Sequence, residues 1–135
     1  MASRPTSILV VDDEPQIRRF LRTSLAAQDY EVLEAEDGRG ALDGARRLKP
    51  DLMILDLGLP AGDGFSVLER MKINESLSSM PVIVFSGRDR VGNQDRALKA
   101  GASSFLQKPV ENDTLLAAIR LILKEGQCPA PVLHD

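Results

Sequence analysis

The stretch ILVVDDEP, residues 8–15, indicates the fold class and raises the first question about function. Its first four residues form an uninterrupted apolar run, which is typical of a strand buried on both faces of a parallel sheet. Asp12 and Asp13 follow at the carboxyl end of that strand. Adjacent like charges repel each other, and a simple turn would be better served by Gly, Asn or Ser. We therefore expect a cationic partner beside the two carboxylates.

Length and composition narrow the class of protein. The chain has 135 residues, of which 43% are hydrophobic, enough for one domain with one core. A net charge of -3 and a pI near 5.2 argue against a nucleic-acid-binding surface, so no direct nucleic-acid partner is expected. The sequence offers neither a membrane span nor a secretory signal, and its single cysteine, Cys128, cannot form an internal disulfide. These features predict a cytoplasmic protein without membrane contact.

Short apolar runs alternate with amphipathic patterns along the chain. The runs predict strands at residues 8–11, 31–35, 52–55, 82–85 and 104–107, and the patterns predict helices at residues 15–28, 39–48, 64–72, 93–100 and 112–124. This order requires a mostly parallel sheet with right-handed crossovers and helices on both faces. The helix at residues 93–100 has few apolar side chains, so we expect it to pack lightly. Prolines after residue 125 indicate a flexible C-terminal tail, residues 126–135.

The first two helical patterns also predict which side chains face the core. In the first, an apolar stripe consists of Ile17, Phe20, Leu21 and Leu25, and the arginines expected to face away from it are Arg18, Arg19 and Arg22. In the second, the apolar face consists of Ala41, Leu42, Ala45 and Leu48. Both helices are thus predicted to be amphipathic.

Four of the predicted strands end in polar residues, and ligands of open α/β sheets bind beyond the carboxyl ends of strands. The residues are Asp12 with Asp13, Asp56, Ser86 and Lys108. Three carboxylates at one edge remain ionised only beside a hard cation or a lysine. Mg²⁺ suits such a site, because it prefers oxygen ligands and commonly uses one or two carboxylates with phosphate oxygens. The set favours phosphoryl transfer onto a carboxylate, although each residue taken alone could equally be a turn acid, a helix cap or a surface charge.

Four segments together resemble the signatures of bacterial response-regulator receiver domains, also called CheY-like domains. They are ILVVDDEP, PDLMILDLGLPAGDGF, PVIVFSG and GASSFLQKP, in the family's order and with similar intervening lengths. The resemblance covers residues 7–125, which we interpret as one receiver domain. It implies a flavodoxin-like, doubly wound, five-stranded parallel sheet of strand order 2-1-3-4-5 with five helices. It also implies a two-component phosphorelay, in which the phosphohistidine of a histidine kinase donates its phosphoryl group to an aspartate.

Matching positions carry the family's roles onto this chain. The resemblance implies that Asp56 is the phosphoacceptor. It implies that Mg²⁺ or Mn²⁺ is bound by Asp13 directly, by Asp12 partly through water, by Asp56 and by the main-chain carbonyl of Gly58. It further implies that Ser86 and Lys108 engage the phosphoryl oxygens and that Phe105 is the switch aromatic. Gly58 and Arg88 occupy positions that vary in the family and would modulate the lifetime of the phosphoryl group. The paired acids that opened the question would then hold the cation that lets a phosphoryl group approach a carboxylate.

Signalling is expected to follow from a small rearrangement. Ser86 would move toward the phosphoryl group and Phe105 would turn into the space it leaves. The output face is predicted at the fourth helix, the fifth strand and the fifth helix. Basic residues near it, namely Arg88, Arg90, Arg96 and Lys99, suggest an acidic partner or a phosphorylation-dependent homodimer.

The expected partners are a sensor histidine kinase or phosphotransfer protein upstream and a protein target or fused output domain downstream. We expect no enzyme activity beyond the domain's own phosphotransfer and autodephosphorylation. The main alternative is a pseudo-receiver, a docking module that is never phosphorylated, although all five site residues are present. An aspartate-nucleophile phosphatase would need a second acid soon after Asp56, and residues 57–59 offer none. A flavin or dinucleotide domain is disfavoured because no glycine-rich turn follows the first strand.

Overall fold

The apolar runs form one parallel sheet of five strands, which lie in the order 2-1-3-4-5 when numbered along the chain, as the resemblance implies. The computed structural model describes residues 5–59, 64–87 and 90–127. The strands are β1 (Ser7–Val11), β2 (Glu31–Ala35), β3 (Leu52–Leu55), β4 (Val82–Ser86) and β5 (Ser104–Gln107). The helices are α1 (Pro15–Ala26), α2 (Gly38–Leu48), α3 (Gly64–Ile73), α4 (Arg90–Lys99) and α5 (Asn112–Gln127). None of these helices is long and apolar enough to span a bilayer.

Alternate residues of the central strands pack into two separate apolar clusters, one on each face of the sheet. In β1, Leu9 and Val11 join the cluster that contains Ala41 of α2 and Phe65 of α3. The neighbouring residues of β1 point the other way, into the cluster that includes Leu21 of α1 and part of α5. Because both faces are covered, the central strands β1, β3 and β4 are almost entirely apolar. The doubly wound α/β fold is therefore confirmed.

Several predicted boundaries and faces differ from the structure. Helix α4 begins at Arg90, three residues before the predicted start, and α5 continues to Gln127, two residues past the predicted domain end. The rest of the predicted tail, residues 128–135, lies outside the described residues. Phe20 and Leu48 were predicted on core-facing stripes but are 41% and 49% exposed, because only the centre of each stripe reaches the sheet.

Helix α1 also ends at Ala26 and not at residue 28. The amides of Gln28 and Tyr30 both donate to the carbonyl of Leu25, which closes a tight turn after the helix. Asp29 adopts a left-handed conformation with φ of 66° in that turn. The chain must reverse here to start β2, and this reversal overrides the helical pattern of the sequence.

Strand register brings the predicted site residues to one edge of the sheet. Val11 of β1 pairs with Leu55 of β3, so the residues that follow them, Asp12 and Asp56, emerge side by side. On the other side of β3, Ser86 is the last residue of β4 and pairs with Gln107 of β5. Lys108 directly follows Gln107, so the four polar strand ends converge at this edge.

Candidate functional site

Three carboxylates meet at the carboxyl edge of the sheet, as the sequence predicts. One oxygen of each of Asp12, Asp13 and Asp56 lies within 4.8 Å of the others. Asp12 is 2% exposed and Asp56 is 8% exposed, whereas Asp13 is exposed to solvent. The cluster therefore has a buried side, made by two acids, and an open side, where Asp13 lies.

Lys108 provides the cationic partner expected from the adjacent acids. Its Nζ donates to Oδ2 of Asp12 at 2.8 Å and lies 3.9 Å from Oδ1 of Asp56 and 3.9 Å from Oε1 of Glu14. The backbone of Lys108 is fixed as well, because its amide donates to the carbonyl of Ser86 at 2.7 Å. The ammonium is thus held between the two buried carboxylates and is bonded to Asp12.

The carboxyl group of Asp56 is the most perturbed acid of the cluster. Burial raises its pKa, and the nearby carboxylates of Asp12 and Asp13 raise it further. Lys108 and a hydrogen bond of 3.2 Å from the amide of Gly58 to Oδ1 partly offset this increase. A perturbed carboxyl group at the end of a strand, next to a lysine, is a common feature of functional sites.

A shallow cavity of about 400 Å³ opens over the carboxylates. Its lining includes Asp13, Asp56, Gly58, Ser86 and Lys108. A phosphoryl group on Asp56 would therefore enter a space bordered by a hydroxyl and an ammonium. Carboxylate oxygens and a main-chain carbonyl are hard ligands, so this donor set fits Mg²⁺ or Mn²⁺ on its solvent side.

Phe105, the predicted switch aromatic, does not line this cavity. It pairs with Val84 in the sheet and belongs to the core cluster on the α2, α3 and α4 side, where it is 5% exposed. The side chain of Phe105 is therefore buried in the core in this structure. Arg88, the predicted modulator of phosphoryl lifetime, lies outside the described residues.

Gly64 supports the site, a role that sequence reasoning did not predict. A Cβ atom at this position would lie 2.6 Å from the carbonyl oxygen of Asp56 and 2.7 Å from Cα of Leu57. The amide of Gly64 also donates to the carbonyl of Leu57 at 3.0 Å. The first turn of α3 therefore packs directly on the backbone of Asp56 and Leu57. The GDGF stretch places a glycine there, but the close approach depends on tertiary contacts.

Arg18 is a second residue that the sequence did not reveal, since it was predicted to face away from the core. Its Nη1 donates to the main-chain carbonyl of Asp12 at 2.7 Å, and its Nε donates to Oε1 of Glu34 at 3.2 Å. The amide of Asp12 donates to the carbonyl of Ala35 at 3.1 Å. The acidic loop is therefore tied to both α1 and β2.

The sheet order and the acidic cavity at its carboxyl edge define a CheY-like α/β protein. The family described as the response regulator receiver domain matches residues 8–120, and the chain belongs to this family. It is 46% identical over 120 residues to the KDP operon transcriptional regulatory protein KdpE of Escherichia coli, covering 88% of this chain and 52% of that protein. It is 41% identical over 125 residues to the transcriptional regulatory protein KdpE of Mycobacterium tuberculosis, covering 93% of this chain and 54% of that protein.

Solved structures give the same result for the fold. A CheY-like response regulator receiver domain protein from Methanospirillum hungatei superposes with a TM-score of 0.86 at 28% identity, covering 94% of this chain and all of that one. The BeF3-activated N-terminal receiver domain of Klebsiella pneumoniae RstA has a TM-score of 0.81 at 28% identity, covering 87% of this chain and 98% of that one. The chain spans about half the length of the curated relatives named above.

Proposed function

We propose that this receiver domain accepts a phosphoryl group on Asp56 from the phosphohistidine of a sensor histidine kinase or phosphotransfer protein. The observation that supports the proposal best is the cluster of three carboxylates within 4.8 Å, with the ammonium of Lys108 between the two buried ones. A structural salt bridge would need only one of these acids. An open cavity over Asp56 gives the donor access from the solvent side.

The proposed reaction moves one phosphoryl group between two nucleophiles. An oxygen of Asp56 forms a bond to phosphorus while the phosphorus–nitrogen bond of the phosphohistidine breaks, and the imidazole nitrogen keeps the electron pair. Ser86 and Lys108 donate hydrogen bonds to the transferred oxygens. Asp13, Asp56 and the carbonyl of Gly58, with Asp12 partly through water, would hold Mg²⁺ or Mn²⁺, which neutralises charge between the phosphoryl group and the carboxylate when bound.

Labelling with acetyl phosphate and Mg²⁺ tests this proposal, with intact-mass measurement as the readout. The wild-type protein is expected to gain one phosphoryl group and the Asp56→Asn variant none. Asp51→Asn is the matched control, because Asp51 lies at the opposite end of β3, where it accepts a hydrogen bond from the amide of Ser7. Phosphate retained on Asp56→Asn would overturn the assignment. A wild-type protein that no acyl phosphate or phosphohistidine labels would be a pseudo-receiver, the alternative reading.

We further propose that phosphorylation acts on the face formed by α4, β5 and α5. Helix α4 packs lightly on the core, because Ala97 is buried whereas the larger Leu98 is 41% exposed. Because Phe105 is already buried, phosphorylation would stabilise its buried position over an outward one. Amide exchange with and without beryllofluoride, a phosphoryl mimic, should show increased protection across residues 88–105, and unchanged protection would contradict the proposed switch.

The partner of this face stays a prediction. Arg96 stacks on the ring of Phe65 in α3 at 3.8 Å from the centroid, and Lys99 pairs with Asp95 at 3.1 Å, so both charges have intramolecular contacts. An acidic protein or a second copy of the chain would therefore have to compete with these contacts. The side chains of Arg88 and Arg90 lie outside the described part of the chain.

The output and the compartment also stay proposals. Two of the relatives are named transcriptional regulators and are about twice as long as the matched region. We propose that this receiver controls transcription through a fused or separate output domain, while the receiver itself makes no contact with nucleic acid. A cytoplasmic location and the absence of activity beyond phosphotransfer and autodephosphorylation are parts of the same proposal.

A further inference from the structure

The guanidinium of Arg18 joins three elements of the fold beneath the acidic cluster. It extends from α1, donates to the carbonyl of Asp12 at 2.7 Å and donates to Glu34 of β2 at 3.2 Å. Glu34 is held in turn by Arg22, whose Nη1 lies 2.6 Å from Oε2. The side chain of Arg18 is only 18% exposed, so the planar group is enclosed between its partners. A planar fork that bonds two acceptors at once is rigid, unlike a lysine ammonium.

The carbonyl that Arg18 holds belongs to the peptide between Asp12 and Asp13. Every other polar group of Asp12 is also engaged: its amide donates to Ala35, Oδ1 accepts from the amide of Glu14 at 3.0 Å, and Oδ2 accepts from Lys108. Asp13 is exposed, and the peptide that precedes it sets the position of the Cα atom that carries its side chain. Arg18 therefore fixes the backbone from which the exposed carboxylate of the cluster extends.

We propose that Arg18 is a positioning residue that sets the affinity of the acidic cluster for a divalent cation by fixing the Asp12–Asp13 peptide. The inference rests on the metal site of the proposed function and deepens it. Arg18 touches neither the cation nor the phosphoryl group; it acts through the direction of Asp13. Residues that orient metal ligands in this indirect way commonly change metal affinity tenfold or more when they are replaced.

Electrostatics alone predicts the opposite change in Mg²⁺ affinity when Arg18 is removed, so the two explanations can be distinguished by experiment. A positive charge near the cluster repels a divalent cation, so removing Arg18 should strengthen Mg²⁺ binding if only charge mattered. If Arg18 positions Asp13, removing it should weaken binding. Arg22 provides the matched control, because it also carries a positive charge and bonds to Glu34, whereas the hydrogen bond to the carbonyl of Asp12 comes from Arg18.

The test is a Mg²⁺ titration of the whole chain, in which the backbone amide chemical shifts of residues near the cluster report binding. Arg18→Gln is expected to bind Mg²⁺ about tenfold more weakly than the wild type. The Mg²⁺ affinity of Arg22→Gln should stay within about twofold of the wild type or be slightly higher, since this variant loses a positive charge but keeps the contact between Arg18 and Asp12. Arg18→Lys keeps the charge and the aliphatic stem but not the fork, so its affinity should lie between those of the wild type and Arg18→Gln.

The outcomes separate this inference from the proposed function. A wild-type protein that does not bind Mg²⁺ at the cluster overturns the metal site, and the inference with it. Normal binding by the wild type combined with equal or tighter binding by Arg18→Gln overturns the positioning role alone. Equal weakening in Arg18→Gln and Arg22→Gln also overturns it, because the loss would then come from Glu34. If Arg18→Gln does not fold, wild-type affinity in Arg18→Lys decides against the inference.

Discussion

Replacing Lys108 by Met should destabilise the protein by about 3 kcal/mol in the absence of divalent cations. Breaking a buried ion pair by removing one partner costs roughly 3–5 kcal/mol, because the remaining charge stays buried without compensation. Asp12 is the remaining charge, 2% exposed, and Lys108 is its donor at 2.8 Å. Lys108 itself is 16% exposed, so water reaches part of the vacated space and the lower end of the range applies. Met keeps the aliphatic stem, so packing contributes little to the loss.

Urea unfolding at pH 7 in EDTA measures this effect, and a loss of this size should lower the melting temperature by roughly 10 °C. Lys72→Met is the control: its Nζ donates to the carbonyl of Lys99 on the surface, and its loss should cost no more than about 0.5 kcal/mol. The double variant Asp12→Asn/Lys108→Met should recover most of the stability, because the charge of Asp12, the more buried of the two acids beside Lys108, is then gone. A loss below about 1 kcal/mol in Lys108→Met would show that Asp12 does not depend on the lysine.

Two further predictions concern Asp56 and the turn of α3 that packs on its backbone. The pKa of Asp56 in the folded protein is raised above its ordinary value of 3.8. Between the ordinary pKa and the raised pKa, the folded protein therefore binds more protons than the unfolded chain. The free energy of unfolding should fall as pH rises through that range. Unfolding curves in EDTA should show this decrease in the wild type and not in Asp56→Asn; parallel curves would contradict it. Gly64→Ala should cost about 2 kcal/mol, because its Cβ would clash with the backbone of Asp56. A Cβ atom at Gly87 would meet no atom within 4 Å, so the free energy of unfolding of Gly87→Ala should lie within about 0.5 kcal/mol of that of the wild type. Equal losses in the two variants would refute the steric argument.

The sequence predicts the fold well because the sheet is buried on both faces. The continuous apolar runs of β1, β3 and β4 favour strands buried in this way, and the alternation of strands with helices favours parallel pairing. The convergence of Asp12, Asp56, Ser86 and Lys108 then follows from strand ends alone. No side-chain geometry is needed for that step, which is why the composition of the cluster could be predicted. The roles of its members in phosphotransfer stay predictions.

The contacts that hold the cluster in place could not be predicted in the same way. The contact of Arg18 with Asp12 depends on the rotation of α1 about its axis, which packing on the sheet sets and a helical stripe does not. The exposed position of Phe20 has the same origin. Gly64 needs a close approach between α3 and the chain after β3, which is a tertiary property. Residues with these supporting roles carry no local sequence signal beyond their type.

The position of Lys108 predicts that stability and the proposed phosphoryl contact depend on the same ammonium. It is bonded to Asp12 at 2.8 Å and lies 3.9 Å from Asp56, so a phosphoryl oxygen on Asp56 would compete for the same group. An ammonium has three donor hydrogens, and it can keep the bond to Asp12 while it donates to a phosphoryl oxygen. A Lys108 variant that fails to signal is therefore ambiguous, because it has lost stability as well. Comparing the double variant Asp12→Asn/Lys108→Met with Asp12→Asn resolves this, because both lack Asp12 and only the double variant lacks the ammonium. A response to beryllofluoride in amide exchange that Asp12→Asn shows and the double variant does not would assign the signalling role to the ammonium itself.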